Sequence, residues 1–237
     1  MSSMDGTLRS KLPSWSRLLL PAILVAIVAG AYWLKVRPTS ALSGGQESTD
    51  ALLARGVSLH AAEQYDAALE AYRKILEREP GHPRAHYNIG QIYNVRGRNA
   101  DAQREYEAAL SGDPSFLDAR LNLGVVLYRQ RQFPAAAHAF RQVLQDTPTH
   151  PLALFNLGIS LLELGQTDEA IRSLRAALRE DPRRADTHYY LGLARQRQGR
   201  LPEAKAALLK AIDLNPRHAE AYKALPKAGE LKSGATQ

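Results

Sequence analysis

From residue 49 to residue 218 apolar and small residues recur at three- and four-residue steps, and the pattern restarts every 34 residues. Between 151 and 184, Leu154, Leu157, Gly158, Leu161 and Leu164 mark one helical face, and Gly165 interrupts it. Asp168 then opens a second stretch with Ala170, Leu174, Ala177 and Leu178 on its inner face. This spacing predicts amphipathic helices rather than strands, and Asp181-Pro182 closes the pair, since proline cannot continue a helix interior. A different pattern lies ahead of these repeats. Residues 18–34 (LLLPAILVAIVAGAYWL) run for seventeen positions without a charge. They predict one apolar helix of about 25 Å, slightly short of the ~30 Å hydrocarbon core of a bilayer.

Three columns hold the 34-residue register. Glycine stands at 56, 90, 124, 158 and 192, alanine at 68, 102, 136, 170 and 204, and proline at 80, 114, 148, 182 and 216. The units are therefore 49–82, 83–116, 117–150, 151–184 and 185–218, each a pair of helices. A glycine where two helices come closest lets their backbones approach, and a larger side chain there would overpack at a cost of ~1–3 kcal/mol. Gly97 and Gly199 share the column of Gly165, which predicts a left-handed helix end. Asp66, Pro134 and Pro202 share the column of Asp168, which suits a helix N-terminus. One helix pair cannot bury its apolar face alone, so neighbouring units must stack.

These columns resemble the tetratricopeptide repeat (TPR) family over 49–218, without insertion or deletion. The aromatic column of the family reads Tyr72, Tyr106, Phe140, Leu174, Leu208 here, and its later alanine column reads Ile75, Ala109, Val143, Ala177, Ala211. The expected fold is all-α: a right-handed α-solenoid of five TPR helix-turn-helix units preceded by one transmembrane helix. The resemblance implies that first helices line a concave groove. Residues 219–237 are expected to form a capping helix and tail, because Pro226 stands in place of the glycine column.

The apolar run carries the marks of an anchor. Trp15 precedes it, Tyr32 and Trp33 end it, and Arg17, Lys35 and Arg37 bracket it with charge, as aromatic belts and flanking cations do at membrane interfaces. The organisation expected is a basic segment 1–17, a transmembrane helix or signal-anchor at 18–36, and a flexible linker at 37–48. A cleaved secretory signal competes with this, since Ala29-Gly30-Ala31 forms an A-x-A site; cleavage near Ala31 would release a soluble secreted or periplasmic adaptor. Three cations before the span against two after it lean toward a cytoplasmic N-terminus and extracytoplasmic repeats.

The net charge of +7 is spread along the chain: +3 over 1–48, +3 over 49–218 and +1 over 219–237. The repeats are nearly balanced, so bulk charge implies no nucleic-acid surface. Unit charge runs from -2 in the first to +3 in the fifth, where Arg195, Arg197, Arg200, Lys205 and Lys210 gather. The absence of cysteine excludes disulfides, thiolate metal sites and cysteine nucleophiles. His82, His150 and His218 recur in the last column of their units, which the repeat loop explains. No phosphate-binding loop, serine-hydrolase elbow or zinc-protease motif occurs. The reading is a protein without catalysis, cofactor or metal.

By the resemblance, groove residues are the second, fifth, sixth, ninth, twelfth and thirteenth of each unit. The sixth column reads Ala54, Asn88, Asn122, Asn156, Tyr190. An asparagine amide both donates and accepts, so three in succession would hold the main chain of an extended peptide whatever its side chains. The competing interpretation is that these amides bond only a neighbouring helix. Tyr87, Phe155 and Tyr189 stand in the fifth column and Tyr128 in the twelfth, so these rings with Tyr190 are candidate contacts for apolar groups of a partner. The cations needed to clamp a C-terminal carboxylate are missing, with Leu53, Val57 and Asp118 at positions that would carry such a clamp. The expected partners are a protein or peptide ligand in the groove and a membrane at residues 18–34.

Overall fold

The computed structural model describes residues 47–226. The expected transmembrane helix and the far C-terminal tail lie outside the described residues, and among those described no helix is long and apolar enough to cross a membrane. Contacts divide the chain into Met1–Glu47 and Ser48–Gln237, and the described helices all belong to the second unit.

Five first helices, α1 (Thr49–Ala61), α3 (Pro83–Val95), α5 (Leu117–Arg129), α7 (Pro151–Glu163) and α9 (Ala185–Arg197), alternate with five second helices. The latter are α2 (Tyr65–Leu76), α4 (Asn99–Gly112), α6 (Phe133–Asp146), α8 (Thr167–Glu180) and α10 (Leu201–Leu214). The six-residue α11 (Ala219–Ala224) ends the array, stopped by extended Leu225 and Pro226. Each helix packs on the next in sequence. First helices of successive units also touch (α1 with α3, α5 with α7, α7 with α9), and no second-helix pair matches this. The first helices of successive units therefore approach one another more closely than the second helices do.

The column residues act as a matched set. Ala68, Ala102, Ala136, Ala170 and Ala204 have no exposed surface, nor do Tyr72, Tyr106, Phe140, Leu174 and Leu208. The glycine column is explained by these larger residues: a Cβ on Gly90 would stand 2.8 Å from the Tyr106 ring, and one on Gly124 2.6 Å from the Phe140 ring. On Gly158 and Gly192 it would lie 2.7 Å from Cγ of Leu174 and Leu208 respectively. Glycine is thus kept by the bulk of the residue sixteen positions on.

Turns within units repeat one geometry. Gly97, Gly165 and Gly199 have φ of 70°, 75° and 72°, as expected of a left-handed helix end. Glu63 and Arg131 occupy the same column at φ of 58° and 61°, so the turn shape is set by the stack even where the residue disfavours it. Between units, the histidine column caps helices. Nδ1 of His82, His150 and His218 accepts the backbone N–H of Ala85, Ala153 and Ala221 at 3.2, 3.3 and 3.3 Å. This satisfies one orphan donor at each helix start. Four residues further on, His86 and His188 place Nε2 2.7 and 2.9 Å from the carbonyls of Pro80 and Pro182, and Arg120 donates to that of Pro114. The proline that ends one unit is thereby tied to the first helix of the next.

Candidate functional site

Positions two, six, nine and thirteen of a first helix are spaced by four, three and four residues, which puts them on one face. Their exposure is graded. Every residue of the second and thirteenth columns is exposed, the sixth and ninth columns are mostly half-buried, and the fifth is mostly core. Val57, Val95 and Leu152, three of the five exposed large apolar residues among those described, fall in the ninth, thirteenth and second columns. Exposed apolar side chains thus gather on the face the resemblance assigns to the groove.

The three asparagines are half-buried on this face, in two different states. Asn122 Nδ2 donates to the Tyr87 hydroxyl at 3.3 Å, one unit back, so this amide is partly used within the stack. Asn88 and Asn156 form no side-chain hydrogen bond with another described residue; the Asn156 backbone carbonyl accepts Ser160 Oγ at 2.7 Å. The alternative of amides bonded only to neighbouring helices thus describes one of the three.

The ring residues form two groups. Tyr87 packs 4.8 Å from Phe116 and 6.0 Å from Tyr106, and its hydroxyl also receives Gln91 Nε2 at 2.9 Å. Farther along, Tyr190 meets Phe155 edge-on at 5.7 Å and Tyr189 at 5.0 Å, and Tyr189 lies 4.8 Å from His218. Tyr128 packs on Phe133 at 5.4 Å. Phe155 is only 7% exposed and belongs to the core, with the Arg184 guanidinium 4.3 Å over its ring. Its place is therefore beneath Tyr190, supporting that ring rather than offering its own surface.

The phenols on this face are all shifted upward, by burial first, although the Asn122 hydrogen bond opposes the shift at Tyr87 and the Arg131 charge opposes it at Tyr128. Burial leads in raising the Tyr87, Tyr128 and Tyr189 hydroxyls above the ordinary tyrosine range, and nearby Asp118, Glu163 and Glu220 respectively add to it. Tyr190 is pushed up to about 12, by burial first and then by Tyr128, Tyr189, Asp186 and Glu163 around it. Each stays a neutral donor at neutral pH. The sequence showed acids in the groove columns but not that Glu163 and Glu220 act on these phenols. The recurring acids of the second column, Asp50, Asp118 and Asp186, were the visible signal.

The basic far end changes character on folding. Arg195 and Arg200 pair with Glu203 and Lys210 with Asp213, while Arg197 donates to the Leu162 carbonyl. Among the described residues no group of three histidine or acidic side chains is arranged to hold a metal ion. His82 is used as a cap, and His86 lies between Glu105 and Pro80.

A stack of 34-residue helix pairs with glycine, alanine and proline columns and a half-polar inner face defines a helical-repeat interaction module. The tetratricopeptide repeat profile matches residues 53–102, 95–151, 126–185 and 155–219, and the chain belongs to the tetratricopeptide repeat family. Among solved structures it is similar to YrrB, described as a TPR protein with an unusual peptide-binding site. That likeness has 27% identity and a TM-score of 0.71 and covers 78% of this chain and 96% of YrrB. It is also similar in fold to MamA (22% identity, TM-score 0.66, covering 73% of this chain and 95% of that one). A MamA from Desulfovibrio magneticus RS-1, residues 41 to the end, gives 19% identity and a TM-score of 0.68, with 75% and 99% covered. No curated protein sequence matches the chain.

Proposed function

We propose that this chain is a membrane-anchored scaffold that takes an extended segment of another protein into the groove of its first helices, without catalysis. The observation that carries the reading is the exposure of Val57, Val95 and Leu152 on the same helix face that holds the uncommitted amides of Asn88 and Asn156. Apolar surface left in contact with water on a concave face, next to unspent donors and acceptors, is what an extended peptide requires. The similarity to YrrB, whose site binds peptide, supports the same use. The candidate contacts are Asn88, Asn122, Asn156, Tyr87, Tyr128, Tyr189 and Tyr190, with Phe155 as support. The anchor rests on the uncharged run 18–34 and its aromatic and cationic flanks.

Peptides selected from a library on the immobilised full chain test the groove. Asn88→Ala with Asn156→Ala should weaken their binding about tenfold, as loss of one or two hydrogen bonds of ~0.5–1.5 kcal/mol each implies, while helical content stays unchanged. Unaltered affinity would remove the amide ladder. Mass spectrometry of the mature N-terminus tests the anchor: a chain beginning at Tyr32 would establish the secreted alternative instead.

A further inference from the structure

Four arginines stand close together without partners. The side chains of Arg172, Arg175, Arg179 and Arg183 form no ion pair, hydrogen bond or ring contact among the described residues. Elsewhere the arginines of the repeats are mostly engaged: Arg96 by Asp66, Arg120 by Asp146, Arg141 by Glu169, and Arg195 and Arg200 by Glu203. Steps of three and four put Arg172, Arg175 and Arg179 on one face of α8. All three are exposed, over ~10 Å of helix axis.

The acids of this neighbourhood are largely used. Asp168, one turn before Arg172, accepts Gln198 Nε2 at 2.5 Å, Glu169 holds Arg141 at 2.8 Å, and Asp181 accepts the Arg183 backbone N–H at 3.2 Å. On α9 and α10, Asp186 lies beside His218, Glu203 is shared by two arginines, and Asp213 pairs with Lys210. Two exposed acids are left. Glu163 stands on the groove face of α7, and Glu180 sits ~100° round the helix from Arg179.

A separate geometric feature coincides with this stripe. A cavity of about 280 Å³ opens between α8 and α9, lined by Arg175, Leu178, Arg179 and Leu191. The half-buried leucines give it an apolar floor, and the exposed arginines stand at its rim. No other unit has two cations in these columns: the first has Arg73 with Glu77, the third Arg141 with Gln145. Like charges four residues apart on a helix repel, and paired guanidinium groups match the oxygens of a phosphate. None of the lining residues stands in a groove column, so the cavity is separate from the peptide face.

We infer that the cavity between α8 and α9 binds the headgroup phosphate of an anionic phospholipid. Arg175 and Arg179 hold the phosphate oxygens, Leu178 and Leu191 lie beneath the apolar part, and Arg172 and Arg183 meet neighbouring headgroups. The apolar floor favours a lipid over a free anion or an acidic peptide, because a lipid joins its phosphate to hydrocarbon. This goes beyond the groove reading and takes from it only that a bilayer is near.

The test reacts the full chain, in nonionic micelles, with phenylglyoxal and reads the labelling of each arginine by peptide mass spectrometry. Doping the micelles with phosphatidylglycerol rather than phosphatidylcholine should slow labelling of Arg175 and Arg179 about fivefold or more. Arg73, exposed in the matching column, should be unaffected. Added salt should weaken the protection. Arg175→Gln with Arg179→Gln should abolish protection of Arg172 and Arg183 while circular dichroism shows retained helix. Equal labelling in the two micelles would overturn the inference, as would slowing that includes Arg73 or protection that survives in the double variant. Equal protection by inorganic phosphate, or by a glutamate-rich peptide, in undoped micelles would overturn the lipid as the occupant. A mature chain beginning at Tyr32 would remove the anchor but not this test, because the micelles supply the lipid.

Discussion

Gly124 and Phe140 compete for one volume: a Cβ on the glycine of α5 would stand 2.6 Å from Cε1 of the ring on α6, 2.8 Å from Cζ and 3.0 Å from Cδ1. Phe140 has no exposed surface, so the ring has nowhere to retreat. Gly124→Ala should therefore destabilise the stack, by up to about 2 kcal/mol, because overpacking of ~1–3 kcal/mol opposes the ~1 kcal/mol gained in helix propensity and the ring cannot yield. Denaturant unfolding of the single variants and of Gly124→Ala with Phe140→Leu checks this. The double variant should lose less than the two singles summed, and strict additivity would contradict the steric account.

Arg131 holds φ at 61° in a column where three of five units use glycine. A left-handed conformation costs an ordinary residue roughly 1–2 kcal/mol, and glycine returns part of that gain through its freer unfolded chain. Arg131→Gly should raise stability by about 0.5–1 kcal/mol, less whatever the guanidinium 5.5 Å from the Phe133 ring contributes. Gly165→Ala should do the reverse. A lower melting temperature for Arg131→Gly would show that this side chain contributes more than its backbone costs.

Tyr72 and Tyr106 bury hydroxyls that find no hydrogen-bond partner among the described residues, in a column where later units place Phe140, Leu174 and Leu208. A buried hydroxyl left unpaired costs ~1–3 kcal/mol, so Tyr72→Phe with Tyr106→Phe should match or exceed the wild type in stability. Burial pushes the Tyr72 phenol up to about 12 and raises Tyr106 as well. The folded chain then keeps protons that the unfolded chain gives up above pH ~10. Wild-type stability should fall through that range, and the advantage of the phenylalanine variant should widen. A constant difference from about pH 8 to 11 would contradict this burial argument.

His86 places Nδ1 2.7 Å from Glu105 Oε2 and Nε2 2.7 Å from the Pro80 carbonyl. Two acceptors favour the imidazolium. The Glu105 hydrogen bond leads in raising the pKa, burial opposes it, and the Pro80 carbonyl and the Glu105 charge add to the rise. A raised folded pKa means stabilisation that is complete below the unfolded value and fades as pH climbs through the folded one. The stability of the wild type relative to Glu105→Gln should therefore shrink as pH rises above about 6.5. His60, lowered by burial, titrates in both chains and cancels in the difference. Unfolding midpoints across that range provide the measurement, and a pH-independent gap would remove His86 as the linked group.

The repeat length, the helix pairing and the glycine-alanine-proline register were legible in the sequence alone. They arise from periodic, local requirements: a helical face every three or four residues, a breaker at each end, and a small residue wherever two helices touch. Only the tertiary structure decided what each groove position does. It drew Phe155 into the core beneath Tyr190, left Val57, Val95 and Leu152 exposed, joined Asn122 to Tyr87 while leaving Asn88 and Asn156 uncommitted, and set Asp186 3.3 Å from His218. The physical reason is that these outcomes depend on side chains about one repeat away. Residues of one type in one column share a backbone position but meet different neighbours, and only the neighbours determine whether an amide is used, a ring is covered or a carboxylate remains unpaired.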